Sequence, residues 1–397
     1  MTSTALRLED TRRAIARRIV EHIRNDTSDL GAAPMLNHPS VYTDPARHAL
    51  ERQKLFRETP LVVCLSADLA EPGSFRTFDE TGVPIFVVRD VKGQVRAYLN
   101  ICVHRGARLV RSAQGQAKAF TCWFHGWTYD TTGALRGAPE KERFGQCVRD
   151  RHLIEVPAGE RCGLVFVQAT PGSSMDLDAH LGSFARELEI LELGRAELVK
   201  SGTMPVKSNW KYALDTYGEG YHAIALHRES LGPLFRCDIS IFDTYGPHFR
   251  IHFVEHSMKE WLNSPEDEWN AVDRLGGIHY IFPNTIIFAG KVKPGRKFYQ
   301  LFRHFPGETV GETTTHQSIY APSGVTSEEY RREVEQSLDD TRYVVENEDY
   351  VAAAEGWSNL KYLPREQTIV YGRQEMALQH MHRTFAERIG MPLPVAG

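Results

Sequence analysis

The chain of 397 residues reads as an α+β protein. A small antiparallel β domain is followed by a larger domain whose antiparallel sheet is flanked by long helices. Three observations predict this. The length suits two domains with a core in each. Between residues 61 and 167 the apolar runs are short, β-branched or aromatic, and divided by turn residues. Beyond residue 175 a block of strands is bracketed by long helical segments. Charged residues make up 25% and hydrophobic ones 42%, ordinary for a globular chain. The net charge of −4 excludes a general nucleic-acid binder, which carries a basic stripe. No apolar run approaches the roughly 20 residues that span a bilayer.

Residues 10–24 form an amphipathic helix with Ile15, Ile19, Val20 and Ile23 on one side, expected to pack on the larger domain. Arg12, Arg13, Arg17 and Arg18 make it basic, but no apolar signal core is present, so a cytoplasmic protein is expected. A short helix follows near Asp44–Leu55. The strands begin with Leu61–Cys64, Pro84–Val88 and Val95–Leu99, the last two joined by a turn over Asp90–Gln94. A further turn lies in Thr128–Gly133, and Gly163–Val167 closes the small domain. A helix is expected near Met175–Leu193. Strands follow at Phe249–Val254, His279–Phe288, Phe298–His304 and Thr313–Ala321, then helices at Ser327–Leu360 and Gly372–Ile389. These readings divide the chain into N-terminal helices (1–57), a β domain (58–172) and a large domain (173–397). Cys64, Cys147, Cys162 and Cys237 have no metal-site spacing and are read as free thiols.

Cys102 and His104, then Cys122 and His125, read C-x-H, a gap of seventeen residues, and C-x-x-H. Two thiolates can hold one iron of a [2Fe–2S] cluster while two imidazoles hold the other, which raises the reduction potential. A structural zinc uses the same four donors. Gly106 and Gly126 follow the two histidines. Each can take a tight loop conformation and bring its amide close to a sulfur. These two loops resemble those of the Rieske [2Fe–2S] family over residues 58–170, with Trp123 where many relatives have proline. The resemblance implies the cluster and not zinc.

The larger domain carries Asp215-Thr-Tyr-Gly-Glu219-Gly-Tyr-His222, with His227 five residues on. Two histidines and a carboxylate with open positions make a mononuclear Fe(II) site that binds O₂. Residues five apart differ by about 140° around a regular helix. His222 and His227 therefore share a metal only if a π-bulge or a helix end falls between Ala223 and Leu226. The third ligand is a distant carboxylate. The cluster Glu346-Asn347-Glu348-Asp349 supplies it, and pattern alone leaves Glu348 and Asp349 open.

This second segment resembles the catalytic domain of Rieske non-haem iron oxygenases, the ring-hydroxylating oxygenase α subunits, in its acid-x-x-H-x-x-x-x-H pattern. The resemblance implies a helix-grip (START-like) catalytic domain. It gives iron to His222, His227 and Asp349, although Trp357 stands where many relatives carry glutamine. It also implies a head-to-tail homotrimer in which Glu219, aspartate in many relatives, links His222 to His125 of the partner subunit for electron transfer. Asp215 is assigned to a supporting role, orienting a histidine. No G-x-G-x-x-G fingerprint follows a strand and no plant-type ferredoxin cysteine run is present. A separate NAD(P)H-dependent reductase is therefore implied, with or without a ferredoxin between them. The expected activity is mono- or dihydroxylation of an aromatic or alicyclic compound. O- or N-demethylation is the alternative within the family, and a non-catalytic Rieske electron carrier the alternative outside it. Leu231, Leu234, Phe235, Phe242, Ile281 and Ile287 are candidate pocket residues, and Arg228, Arg236 and Arg250 candidate partners for a substrate carboxylate.

Overall fold

The computed structural model describes residues 3–364 and 366–397, with burial described from residue 8 onward. It is an α+β chain of two compact units. One comprises residues 52–180 and 192–195; the other comprises residues 1–51, 181–191 and 196–397.

The smaller unit is built from antiparallel strands. Val95–Leu99 and Ile85–Arg89 pair as a hairpin and are flanked by Ser74–Phe78, Gln114–Gln116 and Glu155–Val156 in a five-stranded sheet. Asp90 fixes the hairpin turn by accepting from the amides of Lys92 and Gln94. A three-stranded sheet joins Leu61–Leu65, Leu164–Val167 and Ala158–Arg161, and another joins Ala119–Thr121, Thr128–Asp130 and Leu135–Gly137. The core between them contains Phe75, Phe86, Tyr98, Phe120, Trp127 and Tyr129, and also Cys102 and Cys122.

The larger unit opens with α1 (Ser3–Asn25) and α2 (Pro45–Lys54). Its centre is a seven-stranded antiparallel sheet: β1 (Glu197–Val206), β2 (Phe235–Tyr245), β3 (His248–Glu255), β4 (Gly277–Ile281), β5 (Thr285–Lys293), β6 (Arg296–Pro306) and β7 (Thr313–Ala321). The spatial order is β1-β7-β6-β5-β4-β3-β2. Ile15, Ala16, Ile19 and Val20 of α1 are buried against Ile239 and Ile241 of β2, Val254 of β3 and Trp261. Each of these isoleucine and valine side chains contributes about 1.5–3 kcal/mol. The short helix α3 (Trp210–Asp215) is capped by Asn209, whose side chain accepts from the Lys211 amide. Helix α4 (Glu328–Val344) packs Val334 and Leu338 on Phe298 and Ile319 of the sheet. It runs through a π-helical turn, Val345–Asp349, into α5 (Tyr350–Leu360). Helix α6 (Met376–Ile389) packs Phe385 against Trp210 and Phe282.

Several expected elements differ. The helix expected over Met175–Leu193 is broken into Leu177–Leu181, Gly182–Phe184 and Ala185–Glu189, and Gly182 sits at φ +51°. The strand expected over His279–Phe288 is two strands, because Pro283 has no amide to donate to a ladder. The expected helix over Ser327–Leu360 contains the π turn. Strands β1 and β2 were not anticipated; both lie at sheet edges.

A buried ion cluster ties α2 to α3. Glu51 accepts from Arg47 Nε (2.9 Å), Trp210 Nε1 (3.0 Å) and Lys211 Nζ (2.5 Å), and both Glu51 and Lys211 are almost wholly buried. Burial works against the Glu51 charge, but Lys211 and Arg47 outweigh it and hold the carboxyl below its ordinary range. Glu51→Ala leaves two buried cations unpaired and is expected to cost about 3–5 kcal/mol. The check is thermal or denaturant unfolding; a change below about 1 kcal/mol would show the cluster to be dispensable.

Candidate metal centres

In the smaller unit, two loops of the same construction carry the four predicted ligands. The Cys102 amide donates to Ala107 O and the Gly106 amide returns to Cys102 O; the Cys122 amide donates to Trp127 O and the Gly126 amide returns to Cys122 O. Gly106 and Gly126 hold φ of +80° and +71°, which a side chain rarely adopts. The expected glycine geometry is present, but each amide closes the turn on the cysteine carbonyl and not on a sulfur. Cys102 and Cys122 lie within hydrogen-bonding reach of each other, and Tyr129 Oη is 3.2 Å from Cys102 Sγ. Burial pushes the Cys102 thiol up, partly offset by Tyr129. The rings of His104 and His125 meet at 4.5 Å. His104 is stacked on Trp127 at 4.6 Å, and its Nδ1 is buried without a partner. His125 Nε2 meets Arg105 Nη2 at 2.9 Å. His104 Nδ1 is thus a buried ring nitrogen available to a metal. Two adjacent sulfurs and two adjacent imidazoles with an orphaned buried nitrogen fit a [2Fe–2S] cluster. All six cysteines are free.

In the larger unit, His222 begins a three-residue 3₁₀ turn that ends at Ile224, and the backbone then turns to His227. The helix end required by the five-residue spacing is there. His222 Nε2 lies 3.1 Å from His227 Nε2, and Asp349 Oδ1 lies 3.3 Å from each. Donors bound at about 2.0–2.2 Å to one cation, at right angles, stand about 3 Å apart, so this triangle fits a metal on one face. His222, His227 and Asp349 form the metal-competent cluster found among the described residues. Burial opposes a charge on His222, but hydrogen bonds to Asp349 and Glu219 outweigh it and push the imidazole up to about 10. His227 is raised against burial by Asp349. Asp349 is lowered against burial by the two histidines.

The opposite ring nitrogens are also held. His222 Nδ1 bonds the Glu219 carboxylate, which also accepts from the His222 amide at 3.0 Å. His227 Nδ1 bonds Glu348 Oε2 at 2.6 Å, and Ser230 Oγ donates to the same oxygen at 2.8 Å. Glu348, which pattern leaves open as a metal ligand, is instead a direct partner of His227 on the far side of the ring, and no local pattern announces a partner 121 positions away. The π turn brings Glu348 and Asp349, adjacent in sequence, onto the two histidines together. Asp215 corrects another expectation. It bonds neither metal-site histidine; its partners are Tyr42 and His382 (3.0 Å) in a buried knot with Tyr371. Trp357 donates to the Tyr42 carbonyl at 3.0 Å and packs over Gly311.

A cavity of about 540 Å³ opens on the histidines and Asp349. Leu231, Leu234 and Phe235 line it as expected, but Phe242, Ile281 and Ile287 do not. Side chains alternate across a strand, so Ile278, Ile286 and Phe288 face the cavity instead. The candidate arginines lie elsewhere. Arg250 pairs with Glu187 and Asp243, Arg236 with Asp238 and Asp26, and Arg228 is exposed.

With the geometry in hand, comparison with known proteins is direct. Residues 193–391 match the model of the ring hydroxylating alpha subunit, catalytic domain, and residues 59–157 match the Rieske [2Fe-2S] domain. The chain is 32% identical over 317 residues to the 2-aminobenzenesulfonate 2,3-dioxygenase subunit alpha of Alcaligenes sp., covering 72% of this chain and 79% of that one. It is 31% identical over 239 residues to the benzene 1,2-dioxygenase subunit alpha of Pseudomonas putida, covering 57% of this chain and 53% of that one. The match thus spans about half the length of the latter. Among solved structures, the quaternary ammonium Rieske monooxygenase CntA has the same fold, with a TM-score of 0.76 at 20% identity, covering 91% and 96% of the two chains. Naphthalene 1,2-dioxygenase from Rhodococcus sp. does too, with a TM-score of 0.71 at 18% identity, covering 95% and 98%.

Proposed function

The chain belongs to the Rieske non-haem iron oxygenase alpha subunits, and from that membership we propose that it is a terminal oxygenase hydroxylating an aromatic or alicyclic compound with O₂. The observation that carries this reading is the triangle of His222, His227 and Asp349 at the mouth of a mainly apolar cavity. When bound, the mononuclear iron supplies O₂ activation and the cluster supplies electrons one at a time.

The side chains have separable tasks in this reading. Cys102, His104, Cys122 and His125 hold the cluster, and His222, His227 and Asp349 hold the iron on one face. Glu219 and Glu348 each accept a proton-bearing Nδ1, which leaves both Nε2 atoms free for metal. The walls formed by Leu231, Phe235, Ile278 and Phe288 exclude water and pack a ring. Glu219 also meets His125 of the partner subunit in a head-to-tail homotrimer; the exposed Trp123 and Phe124 beside His125 supply apolar surface suited to such a contact. Electrons come from a separate NAD(P)H-dependent reductase, directly or through a ferredoxin. The domains are N-terminal helices (1–57), a Rieske domain (58–172) and a catalytic domain (173–397), in a cytoplasmic protein. No described helix is long and apolar enough to cross a membrane.

Turnover of a panel of ring compounds with a surrogate reductase and ¹⁸O₂ tests this. Labelled product is expected, and iron-loaded protein that gives no labelled product from any compound rejects it. A second measurement addresses Glu348. Glu348→Ala is expected to weaken retention of the mononuclear iron by about 10–100-fold while leaving the visible spectrum of the cluster unchanged. Unaltered iron retention would make the contact with His227 incidental.

A further inference from the structure

Glu219 stands four residues past the end of α3, in a stretch from Thr216 to Tyr221 with no helix or strand of its own. Such a segment is more mobile than the elements it joins unless something fixes its backbone. Helix α6 does so at two points. Leu378, Met381 and His382 share one face of that helix, at i, i+3 and i+4.

The first point is polar. His382 Nε2 lies 3.0 and 3.2 Å from the two oxygens of Asp215, the last residue of α3. An ionised carboxylate can only accept, so the ring proton sits on Nε2. The Tyr42 hydroxyl gives its hydrogen to the same carboxylate and receives one from Tyr371 at 2.7 Å. The Asp215 carbonyl in turn accepts from the Gly218 amide at 2.9 Å, which closes the turn leading to Glu219. The second point is apolar. Leu378 and Met381 cover that turn so closely that a methyl group on Gly218 would stand 2.6 Å from Leu378 Cδ1 and 3.1 Å from Met381 Cε.

Tyr42, Asp215, Tyr371 and His382 are all buried. Taking a carboxylate out of water is costly, and well-packed apolar residues of similar volume would hold the core as well. What a satisfied buried network adds is a single orientation. The backbone so oriented carries Glu219, whose carboxylate holds both the amide and Nδ1 of His222.

Resting on the reading of Glu219 as the electron bridge between subunits, we propose that His382 is a positioning residue for that bridge. Through Asp215 and the turn to Gly218 it fixes the place of the Glu219 carboxylate. The step it serves moves one electron, which oxidises the reduced cluster of one subunit and reduces the ferric mononuclear iron of its partner to Fe(II).

The test compares the full-length wild type with His382→Phe, His382→Gln and Glu219→Ala. The first readout is hydrogen exchange of the His222 amide, which the Glu219 carboxylate holds, in protein without its mononuclear iron. His382→Phe is expected to speed this exchange about tenfold or more, as loss of one charge-assisted hydrogen bond would. His382→Gln, whose amide Nε2 takes the place of the ring Nε2, is expected to restore the wild-type rate. In Glu219→Ala the amide exchanges fast already, and adding His382→Phe is expected to change it no further; a general loosening of the fold would instead add its own effect. The second readout is the electron step in iron-loaded protein. After flash reduction of the cluster, its reduced spectrum decays as the electron passes to ferric iron, and His382→Phe and Glu219→Ala are each expected to slow that decay about tenfold or more. Unchanged exchange in His382→Phe overturns the inference, and so does an effect that persists in the Glu219→Ala background. If His382→Phe does not fold, Tyr42→Phe, which withdraws one hydroxyl from Asp215, is held to the same criteria. A decay that Glu219→Ala leaves untouched would sink the bridge reading, whereas a decay slowed by Glu219→Ala and not by His382→Phe would sink this inference alone.

Discussion

Asp349→Ala is expected to bind its [2Fe–2S] cluster and to lose the third iron. Metal analysis should fall from about three irons per chain to about two, with the visible spectrum of the cluster intact. Turnover should fall by more than about 100-fold, beyond the loss expected for an outer partner of a ligand. The reason is geometric. Asp349 Oδ1 is 3.3 Å from both histidine nitrogens and completes the triangle; without it, two neutral imidazoles remain. Glu348 does not substitute, because its carboxylate is already committed to His227 Nδ1 and Ser230. If Asp349→Ala kept three irons while Glu348→Ala lost one, the two acids would have exchanged roles.

Loading of the mononuclear iron is expected to be steeply pH-dependent. In the metal-free chain, Asp349 and Glu219 push His222 up to about 10 against burial, and His227 is raised as well. The His222 imidazole so raised holds its proton at neutral pH, and iron must displace it, since only the neutral ring binds metal. The sign follows: apparent affinity rises with pH below about 10 and is lost on acidification. Each displaced proton contributes about tenfold per pH unit, so one proton gives about 100-fold between pH 6 and pH 8 and two give more. Equilibrium dialysis of Fe(II) at fixed ionic strength measures the slope. A flat profile would mean that the histidines are neutral before metal arrives. Linkage predicts the converse for folding. A histidine whose pKa is raised in the folded state adds stability to the metal-free protein that is full below about pH 6.5 and declines toward pH 10.

What was legible in the sequence has a common physical character. Cys102, His104, Cys122 and His125 lie in two short loops, where spacing and flanking glycines carry the geometry locally. The five-residue gap between His222 and His227 was informative because it is incompatible with a regular helix, and the chain breaks its helix there. The illegible features depend on neighbours far away in sequence. Glu348 looks like any acid on a helix surface until Val345–Asp349 widens into a π turn. Asp215 sits near the histidines in sequence, yet its carboxylate faces His382, 167 positions on. Ile287 and Ile286 differ by one place and lie on opposite faces of β5. Pocket lining therefore hinged on strand parity, which the misread turn at Pro283 concealed. Strands β1 and β2 escaped notice because edge strands need bury only part of their surface. Pro205 in β1 is tolerated for the same reason.

The π turn has one more implication, concerning insertions and deletions. A π turn is an α-helix with a single extra residue accommodated by a local widening. Removing one residue from 345–349 would let α4 and α5 fuse into one regular rod with the two flanks close to their present phase, because the widened turn already absorbs the extra residue. Tyr350, whose hydroxyl meets Thr315 at 2.5 Å and Tyr217 at 3.4 Å, and Ala353, whose carbonyl receives Ser208, would keep their register. The loss would fall on the turn itself, where Glu348 and Asp349 reach the two histidines together. The same deletion inside α4 or α5 would instead rotate every side chain on one flank by about 100° relative to the other. A length change is thus absorbed at this turn and propagated elsewhere along the helix, and the absorbed one costs the metal ligand its place.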